Sequence, residues 1–384
     1  MKIMSEGIQK TAGSRLRDIL SYMTQNRFAG VFTGFITTCL VQSSSATTVM
    51  VISFVNAGLL TLTQSIGVIM GANIGTTLTG WLVSVFGFQF KITTIALPAV
   101  GIGLPLIFSK ITKRKNIGEI FVGFGLLFLG LEFLKDSVPD IAGNPDILEF
   151  LHTYTDLGIV SVLIFILVGV LLTITVQSSS AAMAITITMA FKGWIDFPTA
   201  AALVLGENIG TTITAYLASI NGNYHAKRTA RAHMIFNVFG VVWMLFAFSI
   251  FIPFIDYIVP GDPYIPPYLE SGDINEDFNP VTIPFHLSMF HTLFNIINVA
   301  LLIWFVPQIA SVVKRMVKPS KEEEDNEKEY TLEYFSTSVQ PVPEIAIIEA
   351  KKEVIKMSDM MTKMLAFFYE TFKNNRNIED SITK

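Results

Sequence analysis

Charged residues are scarce: Asp, Glu, Lys and Arg make up 15% of the 384 residues, against about 25% in soluble globular chains. Not one occurs from Phe28 to Phe90, and the runs Ile92 to Ser109, Leu157 to Phe191, Ala232 to Ile255 and Phe278 to Val313 are equally free of them. With hydrophobic residues at 51%, this excludes an ordinary water-soluble domain, because a run of about 18 or more apolar residues can cross a bilayer. Cysteine is nearly missing too. Cys39 is the only one, so no intramolecular disulfide forms and thiol redox chemistry is not indicated; in an apolar run it reads as a small packing residue. There is no nucleophile paired with a base, no phosphate-cradling P-loop and no nucleotide signature, which argues against an enzyme. No nucleic-acid partner is expected either. Met1 to Arg27 carries charges throughout and lacks an apolar stretch ending in small residues, so it is not a cleavable leader. It reads as a short amphipathic helix on the cytoplasmic side.

The few charges there are set the topology. Lys110, Lys113, Arg114 and Lys115, then Lys227, Arg228 and Arg231, then Lys314, Arg315 and Lys318 form three basic stretches, which the positive-inside rule places in the cytoplasm. The connections 135–156 and 256–282 are acidic, with Lys135 the only basic residue in either, and are expected outside.

What the sequence does have is an internal duplication. Val41-Gln42-Ser43-Ser44-Ser45-Ala46 aligns with Val176-Gln177-Ser178-Ser179-Ser180-Ala181 at an offset of 135 residues, and internal similarity is to be read before any fold assignment. Without a gap, the offset also superposes Gly71-Ala72-Asn73-Ile74-Gly75-Thr76-Thr77 on Gly206-Glu207-Asn208-Ile209-Gly210-Thr211-Thr212, and Thr79 on Thr214. Sixteen of 42 positions from Val41 to Leu82 are identical, where ordinary residue frequencies give roughly three. The charge pattern starts the first copy inside and the second outside, so the copies are expected to be inverted in the membrane, the architecture of secondary transporters with a site at the interface near the midplane. Each copy must make a net odd number of crossings, so one part is expected to be a re-entrant hairpin, broken at the Gln-Ser-Ser-Ser stretch and buried in protein or lining a cavity. The fold expected is therefore all-α, with two inverted repeats, re-entrant hairpins and broken helices. The parts are a first repeat at 1–116, a second at 117–259, an outer loop and final membrane helix at 260–318, and a cytoplasmic tail at 319–384. Gly118 to Leu134, ahead of copy two, has no counterpart ahead of copy one, from which a further membrane helix upstream of Met1 is expected.

Because the apolar runs hold Ser, Thr, Asn and Gln but no Lys or Arg, an anion inside must be held by hydroxyls, backbone N–H groups and co-bound cations. A broken helix offers free N–H groups and about half a positive charge at its N-terminus. Gln42, Ser43, Ser44 and Ser45 with Gln177, Ser178, Ser179 and Ser180 are the candidate oxyanion cradle. Asn73, Thr76, Thr77, Asn208, Thr211 and Thr212 offer the oxygen ligands that sodium needs, beside glycines that can free backbone carbonyls. A single Ser or Thr in such a run often serves only close helix packing; the duplication is what raises these. Carrying a divalent anion inward against 100 mV costs roughly 4.6 kcal/mol at about 2.3 kcal/mol per charge, which two sodium ions cancel. Glu207 replaces Ala72 and is the one carboxylate within a motif. It is a candidate sodium ligand, with a proton-coupled or a structural role as the alternatives.

His233-Met234-Ile235-Phe236-Asn237 and His291-Thr292-Leu293-Phe294-Asn295 share a His-x-x-Phe-Asn pattern. A structural hydrogen bond across helices is the expectation for them, with lining of the ion path second; no third ligand at suitable spacing supports a metal. In the tail, Lys321 to Asp325 begins a solvated linker. From Pro343, a helix carries Ile347, Ala350, Val354, Met357, Met361, Met364 and Phe368 at alternating spacings of three and four, a bundle-type face.

The paired Gln-Ser-Ser-Ser-Ala and Asn-Ile-Gly-Thr-Thr motifs, followed by Arg231-Ala232-His233, resemble the type II sodium/phosphate cotransporter family, in particular its bacterial members, over about Met1 to Val313. The resemblance implies a multi-pass plasma-membrane protein that carries inorganic phosphate with sodium as coupling ion and no cofactor, phosphate lying at the two Gln-Ser-Ser-Ser motifs and sodium beside it. The tail resembles the start of a PhoU-type regulatory bundle. Another oxyanion, the export direction, and a phosphate-responsive signalling role are the competing readings, and a homo-oligomeric state is left open.

Overall fold

The computed structural model describes residues 26–56, 60–89, 93–137, 155, 158–265, 275–320, 354–355 and 357–369. The expected helix ahead of Asn26, most of the acidic connection 135–156 and the start of the tail helix at Pro343 lie outside them. The chain divides into two compact units, Met1–Lys318 and Pro319–Lys384. In the second unit, residues 357–369 are helical, with Met357, Met361, Met364 and Phe368 exposed.

Every regular element among the first unit's described residues is a helix. In chain order the helices are α1 Arg27–Val41, α2 Ser44–Asn56, α3 Leu62–Ser84, α4 Thr93–Ile107, α5 Thr112–Ser137, α6 Ile159–Val176, α7 Ser179–Phe191, α8 Phe197–Ser219, α9 Tyr224–Ile258, α10 Thr282–Leu302 and α11 Val306–Met316. A π turn, Val85–Gln89, extends α3, and a 3-10 turn, Ile303–Phe305, joins α10 to α11. Among the described residues, five segments are long and apolar enough to cross a membrane: Leu62–Phe88, Thr112–Ser137, Ile159–Val176, Tyr224–Ile258 and Thr282–Met316.

The 135-residue offset of the sequence recurs in the element boundaries. Adding it to Ser44–Asn56 gives Ser179–Phe191, and adding it to Leu62–Ser84 gives Phe197–Ser219; α1 and α6 end at the equivalent Val41 and Val176. Local chemistry sets these ends. Asn26, Thr61, Asp196 and Asn223 each accept a backbone N–H of the first turn and so start α1, α3, α8 and α9, satisfying donors that the helix itself leaves unpaired.

Small residues bring α1 onto α3. A Cβ at Gly34 would sit 1.9 Å from the Val68 carbonyl oxygen, and one at Gly75 would sit 2.6 Å from Thr38 Cβ. Gly34 meets Val68 and Thr38 meets Gly75, so the two helices advance together and are parallel. The same holds in the second segment, where Gly169 meets Leu203 (2.1 Å) and Thr173 meets Gly210 (2.6 Å). For α3 to lie parallel to α1, the chain must run back between them, so α1 with α2, and α6 with α7, are helical hairpins. At 13 residues each, α2 and α7 are ~20 Å long, short of the ~30 Å of a bilayer core.

Helices α9 and α10 close the unit. Trp243 Nε1 donates to Asn298 Oδ1 (3.2 Å) and Asn298 Nδ2 donates to the Phe236 carbonyl (3.2 Å). Trp81 Nε1 reaches Thr292 Oγ1 (2.9 Å), and the Ser84 and Ser288 hydroxyls lie 2.8 Å apart, fixing α10 to α3. Phe290, Phe294, Phe197, Met244 and Leu205 fill the core between α8, α9 and α10. The hairpin of α4 and α5 packs chiefly on itself, through Gly103 and Gly118.

Candidate functional site

Both hairpins break at a glutamine in a left-handed conformation. Gln42 (φ 55°, ψ 30°) and Gln177 (φ 55°, ψ 25°) are the two non-glycine residues with positive φ among those described, a conformation that costs about 1 kcal/mol or more and persists where the surroundings demand it. Their backbone N–H groups close α1 and α6 on the carbonyls of Thr38 and Thr173. Gln42 Nε2 also donates to the Cys39 carbonyl (2.6 Å), and its Oε1 accepts from Thr79 Oγ1 (3.3 Å). One residue later the chain starts a new helix. Ser43 Oγ accepts from the Ala46 N–H (3.2 Å) and Ser178 Oγ from the Ala181 N–H (3.3 Å).

The two new helix starts converge on one cavity. It is lined by Ser44, Asn73, Thr76 and Thr79 from the first segment, by Ser179, Ser180, Met183, Glu207, Asn208 and Thr211 from the second, and by His291 of α10. At about 10 Å³ it has room for roughly one water. No lysine or arginine lines it.

Each lining group has a defined hydrogen-bonding role. Asn73 and Asn208 donate their amide N–H to the carbonyls of Ile69 and Val204, 2.9 Å each, which turns Oδ1 outward as an acceptor. The Thr76 and Thr211 hydroxyls donate to their own helices at Ala72 and Asn208, leaving oxygen lone pairs to the cavity. Glu207 is 4% exposed; its Oε1 accepts from Thr186 Oγ1 at 2.6 Å, its hydrogen-bond partner among the described residues. The cavity thus combines two helix N-termini and serine hydroxyls, which suit an anion, with a carboxylate and amide oxygens, which suit a hard cation.

Eight of the residues singled out in the sequence line this cavity: Ser44, Asn73, Thr76, Ser179, Ser180, Glu207, Asn208 and Thr211. The others stand close by. Gln42, Ser43 and Ser178 cap helices, Ser45 Oγ accepts from Thr214 Oγ1 across the two segments (3.4 Å), and Thr77 and Thr212 bond their own helices. Gln177 is exposed, unlike the buried Gln42. Thr79 and Met183 are lining residues that the motifs did not include, Thr79 two residues beyond one in the same ungapped alignment; His291 belongs to the His-x-x-Phe-Asn pattern, for which lining of the ion path is the second reading. The α10 His-x-x-Phe-Asn pair matches both readings, since its histidine bonds across helices and lines the cavity, while the asparagines of both pairs bond locally. Asn237 and Asn295 donate to the carbonyls of His233 and His291 on their own helices. The contact across helices is made by the His291 ring, whose Nε2 lies 3.4 Å from Asn208 Oδ1. Cys39 is half-buried.

Comparison with known proteins adds to this geometry. The chain is 26% identical over 365 residues to the Salmonella typhimurium protein named "Putative inorganic phosphate export protein YjbB", covering 94% of this chain and 61% of that protein. It is 28% identical over 301 residues to the uncharacterized protein YqeW of Bacillus subtilis, covering 78% of this chain and 92% of YqeW. Over 86 residues it is 38% identical to the sodium-dependent phosphate transport protein 2A of sheep, 22% of this chain and 14% of that protein. The chain therefore spans about three fifths of the length of YjbB. No solved structure matches it. The Na+/Pi-cotransporter family matches residues 1–136 and 142–253, well over half of the sequence, and the chain, a multi-pass membrane protein with bacterial relatives, belongs to that family of transporters.

Proposed function

We propose that this chain carries inorganic phosphate across the membrane by alternating access, coupled to sodium, with one phosphate held between the N-termini of α2 and α7. One observation carries this reading: two helix starts, equivalent at the 135-residue offset and each preceded by a left-handed glutamine, meet at one buried cavity without a lysine or arginine. An anion there is stabilised by both helix dipoles and by the Ser44, Ser179 and Ser180 hydroxyls, with the backbone N–H groups of each first turn. A carboxylate beside it repels the anion unless a cation stands between them. Glu207, Asn73 and Asn208 are the acceptors for sodium, with Thr76, Thr77, Thr211 and Thr212 next to them.

The hairpins are read as re-entrant and the two segments as inverted repeats, with the basic connections and the tail in the cytoplasm and the tail as the start of a PhoU-type bundle. Phosphate is larger than the one-water cavity, so loading requires the hairpins to part, as an occluded state of an alternating-access cycle would. Export is the second reading of direction, favoured by the name of the Salmonella relative that matches 94% of this chain. Purified protein in proteoliposomes, with labelled phosphate and a sodium gradient imposed in either sense, tests both. Phosphate flux that follows the sodium gradient is expected; phosphate flux indifferent to sodium removes the coupling, and absence of flux and of phosphate binding removes the whole reading.

A further inference from the structure

His291 belongs to neither duplicated segment, yet it closes the cavity from α10. It is 5% exposed, and its Nε2 lies 3.4 Å from Asn208 Oδ1. Asn208 uses its amide N–H on the Val204 carbonyl, so the atom facing the ring is an oxygen that can only accept. Nε2 must then carry the hydrogen. In a neutral imidazole this leaves Nδ1 as a bare acceptor, and His291 Nδ1 is buried with no hydrogen-bond partner among the described residues. Helix geometry does not impose this, since His286 on the same helix sets its Nδ1 2.8 Å from the Thr282 carbonyl.

An acceptor on a ring that lines an anion site is an obstacle for most oxyanions once the ligand reaches it. Hydroxyls and backbone N–H groups welcome bare oxygens, whereas Nδ1 opposes lone pair to lone pair unless the ligand brings a hydrogen. We propose that His291 Nδ1 accepts the hydrogen bond of a P–OH group and thereby selects hydrogenphosphate over tetrahedral dianions that lack a proton. The inference rests on the phosphate reading above and deepens it. Fluorophosphate and sulfate have nearly the size, shape and charge of hydrogenphosphate but no O–H, so charge and fit alone do not separate the three. An unmet acceptor does, because a buried group left unpaired costs its desolvation.

The test is competition for labelled phosphate bound to the purified full chain in sodium buffer at mildly alkaline pH, where hydrogenphosphate prevails. Unlabelled phosphate is expected to compete at least about tenfold better than fluorophosphate or sulfate, the ratio set by roughly one hydrogen bond. In His291→Phe the gap should shrink to less than about threefold, through weaker phosphate binding and not through a general loss. His291→Asn, whose amide can turn its NH₂ toward the ligand, should narrow it too, and serves if the phenylalanine variant does not fold. Equal competition by all three anions in the unaltered chain overturns the inference while leaving the phosphate reading intact; no phosphate binding at all defeats that reading instead. A gap that survives both His291 variants, or that disappears in Glu207→Gln with His291 in place, also overturns it, since the acceptor is then another group.

Discussion

Residues 27–84 and 162–219 share one backbone plan although most of their side chains differ, and some of the differences sit where ions would be handled. The helix boundaries, the left-handed glutamines, the serine caps and the asparagine-to-carbonyl bonds recur at the same offset. Several departures face inward, among them Ala72 to Glu207, Val51 to Thr186, Thr48 to Met183 and Thr47 to Ala182. In the first segment Thr38 donates to Thr47 at 3.1 Å; in the second, the equivalent Thr173 hydroxyl is buried without a partner among the described residues. The shared features build the cradle, and the departures give it one charged, less polar side. A site made twice from one plan is suited to hold a tetrahedral ion from both sides, and a lone carboxylate is suited to a cation on one of them.

The comparison can be broken at the scaffold first. Gly34→Val and Gly169→Val each drive a side chain into a backbone carbonyl of the parallel helix, an overpacking of about 3 kcal/mol or more, and both should abolish recovery of monodisperse protein in size-exclusion chromatography. If one were tolerated, the two segments would not be packed alike. The charged departure comes next. Glu207→Gln keeps the shape and the Thr186 contact but removes the charge, and should raise the sodium concentration needed for half-maximal phosphate binding by about tenfold or more; Ala72→Glu in the first segment should not restore it, because Thr186, the partner of Glu207, has Val51 as its counterpart there. The smallest effect has opposite signs in the two segments. Thr38→Val removes a made hydrogen bond and should lower stability by about 1 kcal/mol, while Thr173→Val removes an unmet hydroxyl and should leave stability unchanged or raise it by up to about 1 kcal/mol; thermal unfolding followed by tryptophan fluorescence reads both.

Much of the site was legible because it is written twice. A polar Gln-Ser-Ser-Ser in an uncharged run announces a helix break, and Ser43 and Ser178 supply the caps for the helices that follow. That glutamine, and not glycine, takes the left-handed position was not legible, since propensity argues against it; Gln42 compensates by bonding the Cys39 carbonyl and Thr79, contacts that depend on tertiary packing. Thr186 was missed as the partner of Glu207 because they are 21 residues apart on different helices. His291 lies outside the duplication, and its pattern with Asn295 pointed to a bond across helices, which the ring makes, without naming Asn208 as the partner, because the two are 83 residues apart. The parallel packing of α1 on α3 follows from which glycines face which carbonyls, and periodicity alone does not give that pairing.

The most direct test of a single site shared by both segments is equilibrium binding of labelled phosphate to the purified chain in saturating sodium, with Ser44→Ala and Ser179→Ala alongside. One phosphate per chain is expected, with each variant weakening it by about tenfold, near the value of one hydrogen bond to a charged group. Two phosphates per chain, or one serine variant that binds as well as the unaltered protein, would contradict it.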